Sequence, residues 1–424
     1  MLQHATSHAK RLTALGALLK TFAALWRPAP FHHACVPWAG DFPALHAALL
    51  ALSRDQVEAL HADASALRLW LEPWLPGMAA LDELARLGAL SAEGVPPELG
   101  AGLHDSGLHD AGFHDPGRDV PGRKWAQVEA FAAHALPLWG EACEVLDWCA
   151  GKAHLGRALG LHSGLPVLAL ERDAVLCAEA ERLAARDKVA LRAKVCDVLT
   201  LPHSFVLGPG TLACALHACG DLHRALLDRA QTGASAGMPV GMVLAPCCYH
   251  RTAHEVYLPR SSAGRACGLG LSRDDLRLAV LETATAGHAQ READRRRKVR
   301  LLGLRAFGVR HGLILADYDR LRDVGRGDDA AAFSRACIRL GWPLPDANAI
   351  AESIRYGERR AFDVRALELI RAAIRRPLEV WLVLDMAAGL EEAGFTVEVG
   401  EFCGCGLTPR NVLIRARRSG AFRP

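Results

Sequence analysis

The sequence predicts an α/β fold: a largely parallel sheet completed by a C-terminal antiparallel hairpin and flanked by all-helical regions. Three observations carry this expectation. Short apolar runs recur at Val145–Cys149, Pro166–Glu171, Ala190–Cys196, Leu212–His217 and Val240–Pro246. Helical stretches separate most of them, which is the alternation of βαβ units in a buried parallel sheet. Near the C-terminus, Pro377 can open a helix running to Glu392, with Gly394 as its stop. Phe395–Phe402 and Asn411–Arg417 then read as two strands joined by a turn. Elsewhere, residues 1 to about 100 and 259–376 show helical periods, as at Leu276, Ala279, Val280 and Thr283, and no series of strands.

Along the chain, Ser53-Arg54-Asp55-Gln56 has capping-box spacing ahead of Val57, Leu60, Leu67, Leu69, Trp70 and Leu71. Residues 103–117 hold three near-copies of one unit: Leu103-His104-Asp105, Leu108-His109-Asp110 and Phe113-His114-Asp115. Too short to stack as a solenoid and rich in turn residues, this stretch reads as a linker. A helix over Ala126–Leu136 leads into the first strand. The expected organisation is a helical N-terminal domain (1–102), a His/Asp/Gly-rich linker (103–122), a sheet domain (123–258 and 377–424) and a helical insertion (259–376).

Composition narrows the function. With 424 residues, 51% hydrophobic and 23% charged, the chain is too apolar to be mainly disordered. The long uncharged stretch Leu199–Gly220 is broken by Pro202, Gly208, Pro209 and Gly210, so no membrane span is expected. Thirteen cysteines, an odd number, suit a reducing cytoplasm better than a disulfide framework, and no disulfide-linked partner is expected. A net charge of +3 excludes a polybasic protein but hides a segregation. The 259–376 segment carries 24 basic and 15 acidic residues, whereas each of the other segments is mildly acidic. Arg291, Arg295, Arg296, Arg297, Lys298, Arg300, Arg305 and Arg310 crowd one helical stretch that could neutralise phosphates.

The strand ends carry the chemistry. After Val145–Cys149 comes Ala150-Gly151-Lys152, a turn where Gly151 lets a nucleotide-type ligand approach the backbone at a helix start. A dinucleotide Gly-x-Gly-x-x-Gly pattern fails at Cys149 and His154, and no glycine lies five residues ahead of Lys152 for a phosphate loop. A looser acidic-x-Gly-x-Gly-x-Gly pattern fits, with Asp147 first, Gly151 central, and Cys149 and Ala153 in place of the flanking glycines. Glu171 closes the second strand, where a carboxylate can bind both ribose hydroxyls. Asp197 follows the third, where one can accept from an adenine amino group. Acids at three successive strand ends indicate S-adenosylmethionine.

Beyond them stand Leu216-His217-Ala218-Cys219-Gly220-Asp221 and Pro246-Cys247-Cys248-Tyr249-His250. Together with Asp147-x-Cys149-Ala150-Gly151-Lys152 and the lead-in Lys124-x-x-Gln127, these motifs resemble a class I S-adenosylmethionine-dependent methyltransferase superfamily. Its eukaryotic members include the tRNA acceptor-stem 2′-O-methyltransferases and the methyltransferase domain of the glutathione S-transferase C-terminal-domain-containing protein. The resemblance covers about 125–258 strongly and 377–418 loosely. It implies a Rossmann-like, seven-stranded class I methyltransferase sheet whose last strand is antiparallel.

On this reading Asp147, Cys149, Gly151, Lys152, Glu171, Asp197 and His217 line the cofactor site. His217 or His250 acts as base while Asp221 and Tyr249 orient. Lys124, Arg295, Arg296, Arg297 and Arg410 face an RNA, with tRNA as one such substrate. A small-molecule or protein methyltransferase and a non-catalytic S-adenosylmethionine-binding protein are the alternatives. The cysteines Cys247, Cys248, Cys403 and Cys405 are expected to be reduced thiols without a metal, because neighbouring strand residues face opposite ways.

Overall fold

The computed structural model describes residues 7–90, 117, 120–202, 204–232, 238–281, 288–315, 321 and 324–418. Of the linker assigned to 103–122, the three His-Asp repeats lie outside the described residues.

Seven strands form one sheet: β1 (Glu144–Trp148), β2 (Val167–Glu171), β3 (Leu191–Val195), β4 (Thr211–Cys219), β5 (Gly241–Cys247), β6 (Phe395–Glu401) and β7 (Val412–Arg418). Their order is β3-β2-β1-β4-β5-β7-β6. The first five are parallel to their neighbours, and β7 runs antiparallel to both β5 and β6. This is the α/β, Rossmann-like sheet expected from the sequence.

Burial explains the placement of each strand. Every residue of β5 is buried, as a central strand covered on both faces requires. β3, at one edge, exposes most of its length and carries Arg192 and Lys194, charges that blunt an open edge. β6, at the other edge, alternates from buried Phe395 and Val397 to exposed Thr396 and Glu398. One apolar cluster packs the helix Gly122–Trp139, through Val128, Phe131 and Ala135, with Val145, Leu212, Val243 and Leu413 of the sheet.

The chain divides into two compact units. One holds the described residues within Met1–Lys20, Glu83–Thr285 and Arg375–Pro424, including the whole sheet. The other holds those within Thr21–Asp82 and Ala286–Ile374. These units cut across the segments read from the sequence. The N-terminal helices after Lys20 group with the helices from 286 onward, and residues 259–285 stay with the sheet. Pairing between distant segments decides this, and local periodicity does not report it.

Within the second unit, helices His288–Arg310, Asp329–Leu340 and Ala347–Leu367 enclose Leu301, Leu304, Phe307, Phe333 and Cys337. Gly303 and Gly357 let two of these helices approach closely: a Cβ at Gly303 would sit 2.5 Å from the Ser353 carbonyl oxygen, and one at Gly357 2.2 Å from that of Val299. The capping box at Ser53 forms, with the Gln56 amide donating to Ser53 Oγ and the Ser53 amide to Gln56 Oε1.

One boundary differs. The helix expected to begin at Pro377 spans Leu369–Glu392, with Pro377 inside it. A proline there removes the donor that the Ala373 carbonyl would use. Arg68 Nε supplies a substitute to that carbonyl at 2.9 Å. Gly394, at φ +92°, follows the helix as expected. No helix among the described residues is long and apolar enough to cross a membrane.

Candidate active site

The turn after β1 takes a backbone that favours glycine at three alternate positions. Cys149, Gly151 and Ala153 have φ of 61°, 57° and 50°, although only Gly151 is free of the Cβ penalty. A Cβ placed on Gly151 would meet nothing within 4 Å, so its outer face is open. Ala153 then begins the helix His154–Ser163.

Asp147 lies beneath this turn, 2% exposed, and its Oδ2 accepts from the Gly156 amide at 2.8 Å. Burial raises its carboxyl pKa to about 7, despite the amide and with added repulsion from Glu171. Asp147 is therefore a brace for the turn. Glu171 spans two strand ends: Oε2 accepts from the Gly151 amide, and Oε1 from the amides of Arg172 and Asp173, at 2.9–3.1 Å. Asp197 accepts from the Leu199 amide at 2.9 Å. Cys149 sits among all three acids: burial, then Glu171, Asp147 and Asp197, push its thiol to about 12. The acids picked out by spacing thus converge on one turn. Lys152 faces sideways, 3.7 Å from Glu179.

A second cluster forms where β4 and β5 end. The pairing of these strands shifts between Leu216 and Cys219, and His217 takes φ 66°. His217 Nε2 lies 3.2 Å from Gln127 Oε1, while Gln127 Nε2 donates to the Leu407 carbonyl at 3.1 Å. A carbonyl can only accept, so the Gln127 amide is oriented, His217 Nε2 is the donor and Nδ1 keeps its lone pair. Burial first, then Lys124 and Arg410, lower the His217 pKa, with Cys248 opposing. His250 is lowered by burial and by Arg277, Arg251 and Arg410, again against Cys248. Its Nδ1 is buried without a hydrogen-bond partner. Burial and neighbouring cations thus lower both imidazoles from their ordinary value.

Several sequence assignments change role here. Tyr249 is 4% exposed, and its hydroxyl donates to the Pro246 carbonyl at 3.3 Å, with its ring edge-on to His223. The left-handed residue before it, Cys248, turns the chain and sends the phenol inward. Asp221 opens the helix Asp221–Thr232 and accepts from the Ala253 amide at 2.7 Å, which ties down the loop after β5. Arg410 donates to the Val280 carbonyl at 3.0 Å while its charge reaches His217 and His250.

The basic stripe divides. Arg300 is buried against Asp329 and the carbonyls of Val324 and Gly327. Arg305 donates to the carbonyls of Phe31 and His33, and Arg310 reaches Glu352 and Ser353. Arg295 pairs with Glu292 at 2.9 Å, and Arg296 lies 4.0 Å from the same carboxylate. Arg295 and Arg296 are exposed and Arg297 half-buried, and all three belong to the second unit. Sequence reasoning noticed Gln127 but not its hold on His217, and it passed over Arg251. Only the folded sheet brings these to one place.

Residues 123–255, about a third of the chain, match a family model described as a methyltransferase domain. No curated protein matches. Among solved structures, a geranyl diphosphate methyltransferase in complex with GPP and sinefungin aligns at 18% identity over 36% of this chain and 60% of its own, with a TM-score of 0.21. The geranyl diphosphate C-methyltransferase of Streptomyces coelicolor A3(2) aligns at 17% over 40% and 65%, TM-score 0.22. Coclaurine N-methyltransferase bound to N-methylheliamine and SAH aligns at 13% over 78% and 94%, TM-score 0.25. This chain therefore spans under two thirds of both geranyl diphosphate enzymes, and alignments this loose say nothing of its substrate.

Proposed function

We propose that this protein is an S-adenosylmethionine-dependent methyltransferase acting on RNA in the reducing cytoplasm. The observation that carries the reading is the pair of clusters on one sheet: acids around the β1 turn, and imidazoles among cations at the ends of β4 and β5.

The first cluster fits the cofactor. Gly151 leaves its outer face open, and Glu171 has lone pairs beyond those taken by three amides, which suits ribose hydroxyls. Asp197, at the next strand end, suits the adenine amino group. When bound, S-adenosylmethionine supplies an electrophilic methyl group.

The chain's own residues then position an acceptor and take its proton. Gln127 holds His217 with Nδ1 free to accept a proton, and burial with Lys124 and Arg410 favours its neutral form. His250 offers a second buried nitrogen. Lys124, Arg251 and Arg410, whose charges act on these histidines, suit the phosphates beside a nucleotide acceptor. Arg295, Arg296 and Arg297 extend the basic character in the second unit.

Incubating the protein with labelled cofactor and total RNA, against RNase-treated extract, tests the substrate; label that survives RNase refutes RNA. His217→Ala or His250→Ala, whichever removes the base, should lower kcat by about 10²–10⁴-fold. Wild-type turnover in both variants would end the base assignment.

A further inference from the structure

Three thiols meet where β4 and β5 end, beside the histidines described above but with no role assigned to them there. Cys219 Sγ is 3.4 Å from Cys247 Sγ, and with Cys248 the three sulfurs lie within 4.8 Å of one another. Tetrahedral zinc binds thiolates at about 2.3 Å, which places its sulfurs about 3.8 Å apart. The Cys219–Cys247 separation is close to that value, and the third sulfur lies within reach of the same ion.

The backbone shows how adjacent cysteines come to share a site. Residues 247 and 248 would face opposite ways on a regular strand. Cys248 instead takes φ 48°, left-handed, and this brings its sulfur to the side of Cys247. On the neighbouring strand, the register shift after Leu216 and the left-handed His217 put Cys219 directly opposite Cys247. A non-glycine residue held in this left-handed region is strained. Burying thiols needs no such distortion: Cys214, earlier on β4, is fully buried with ordinary strand pairing. Cys403 and Cys405 stand outside the cluster.

Charge and polarity agree with a bound cation. Three thiolates and one divalent ion leave a net charge of −1, and Arg251 and Arg410 both act on Cys248. Two residues beyond Cys248, the buried His250 Nδ1 has no partner in the protein. A hydrated ion beside this turn would give it one.

We propose that Cys219, Cys247 and Cys248 form a three-thiolate site for a soft divalent cation of the zinc class, with its fourth position open. The full chain, purified without chelators, loaded with Zn²⁺ and freed of excess by gel filtration, should retain about one zinc per chain by elemental analysis. Replacing zinc with Co²⁺ should produce a thiolate-to-cobalt charge-transfer band. Cys219→Ser and Cys248→Ser should lose the zinc and the band, and Cys405→Ser, on an exposed thiol, should keep both. Three results would overturn the proposal: no retained zinc and no band in the wild-type chain; full zinc in the Cys219→Ser and Cys248→Ser proteins; or a Cys219–Cys247 disulfide in the freshly purified protein by non-reducing peptide mapping. The wild-type measurements stand even if a variant misfolds. None of these readings uses methyl transfer, so failure here leaves the proposed activity untouched.

Discussion

Replacing Asp147 with Asn, a neutral side chain of the same shape, should change how stability depends on pH. In the folded chain the Asp147 carboxyl keeps its proton up to about pH 7; in the unfolded chain it releases it near its ordinary 3.8. Between these values the folded state binds more protons, so stability falls as pH rises. At about 1.4 kcal/mol per pH unit, the interval corresponds to ~4 kcal/mol, present in acid and gone by neutrality. Other groups oppose this slope. His223, pushed down to about 4 by burial, favours folding as pH rises from 4 to 6.5, and His134, also lowered by burial, acts in the same direction. The wild-type curve therefore mixes signs, and the difference between variant and wild type isolates Asp147. In chemical denaturation at about pH 4.5 and pH 7, Asp147→Asn should gain on wild type by ~3 kcal/mol over that range. Its carbonyl can still accept from the Gly156 amide, so the turn survives. Parallel curves for the two proteins would show that Asp147 ionises normally and that the turn above it is wet.

Five further outcomes follow from the structure. Gly220→Ala should unfold the sheet unit or cost more than about 3 kcal/mol, since its Cβ would fall 1.9 Å from the Arg251 carbonyl oxygen at φ +59°. Gly268→Ala, at the same φ with open space, should cost about 1 kcal/mol in the same denaturation assay. Glu171→Gln should weaken S-adenosylmethionine by about tenfold or more in calorimetry, because one carboxylate oxygen no longer accepts at the Gly151 turn. Alanine at Arg295, Arg296 and Arg297 together should leave the melting temperature nearly unchanged while reducing the salt slope of RNA binding by about 2–3. Arg300→Ala should instead destabilise its unit by about 3 kcal/mol, because Asp329 and two carbonyls lose their donor.

The sheet was legible because each strand is a short apolar run whose burial is written into its own residues. Every one of the seven expected runs became a strand, with ends moved by one or two residues. The acids Asp147, Glu171 and Asp197 were legible for a related reason. In a parallel sheet the carboxyl ends of strands lie on one edge, so spacing alone brings their side chains near each other. The Pro377 boundary was not, because the carbonyl that the proline strands is rescued by Arg68, some 300 residues away.

By itself the sequence determined the α/β class, the seven strands, and the motif residues that meet at the strand ends. These are consequences of local pattern, repeated along the chain. Tertiary structure alone decided that Asp147 and Tyr249 brace rather than reach outward, that Gln127 orients His217, and that Arg300 serves its own unit's interior. It also decided that residues 21–82 group with 286–374, and that left-handed turns at His217 and Cys248 gather three thiols. The physical reason is common to all of them. A side chain's burial, its partner and its charge environment depend on segments distant in sequence, and only the closed fold brings those segments within hydrogen-bond reach.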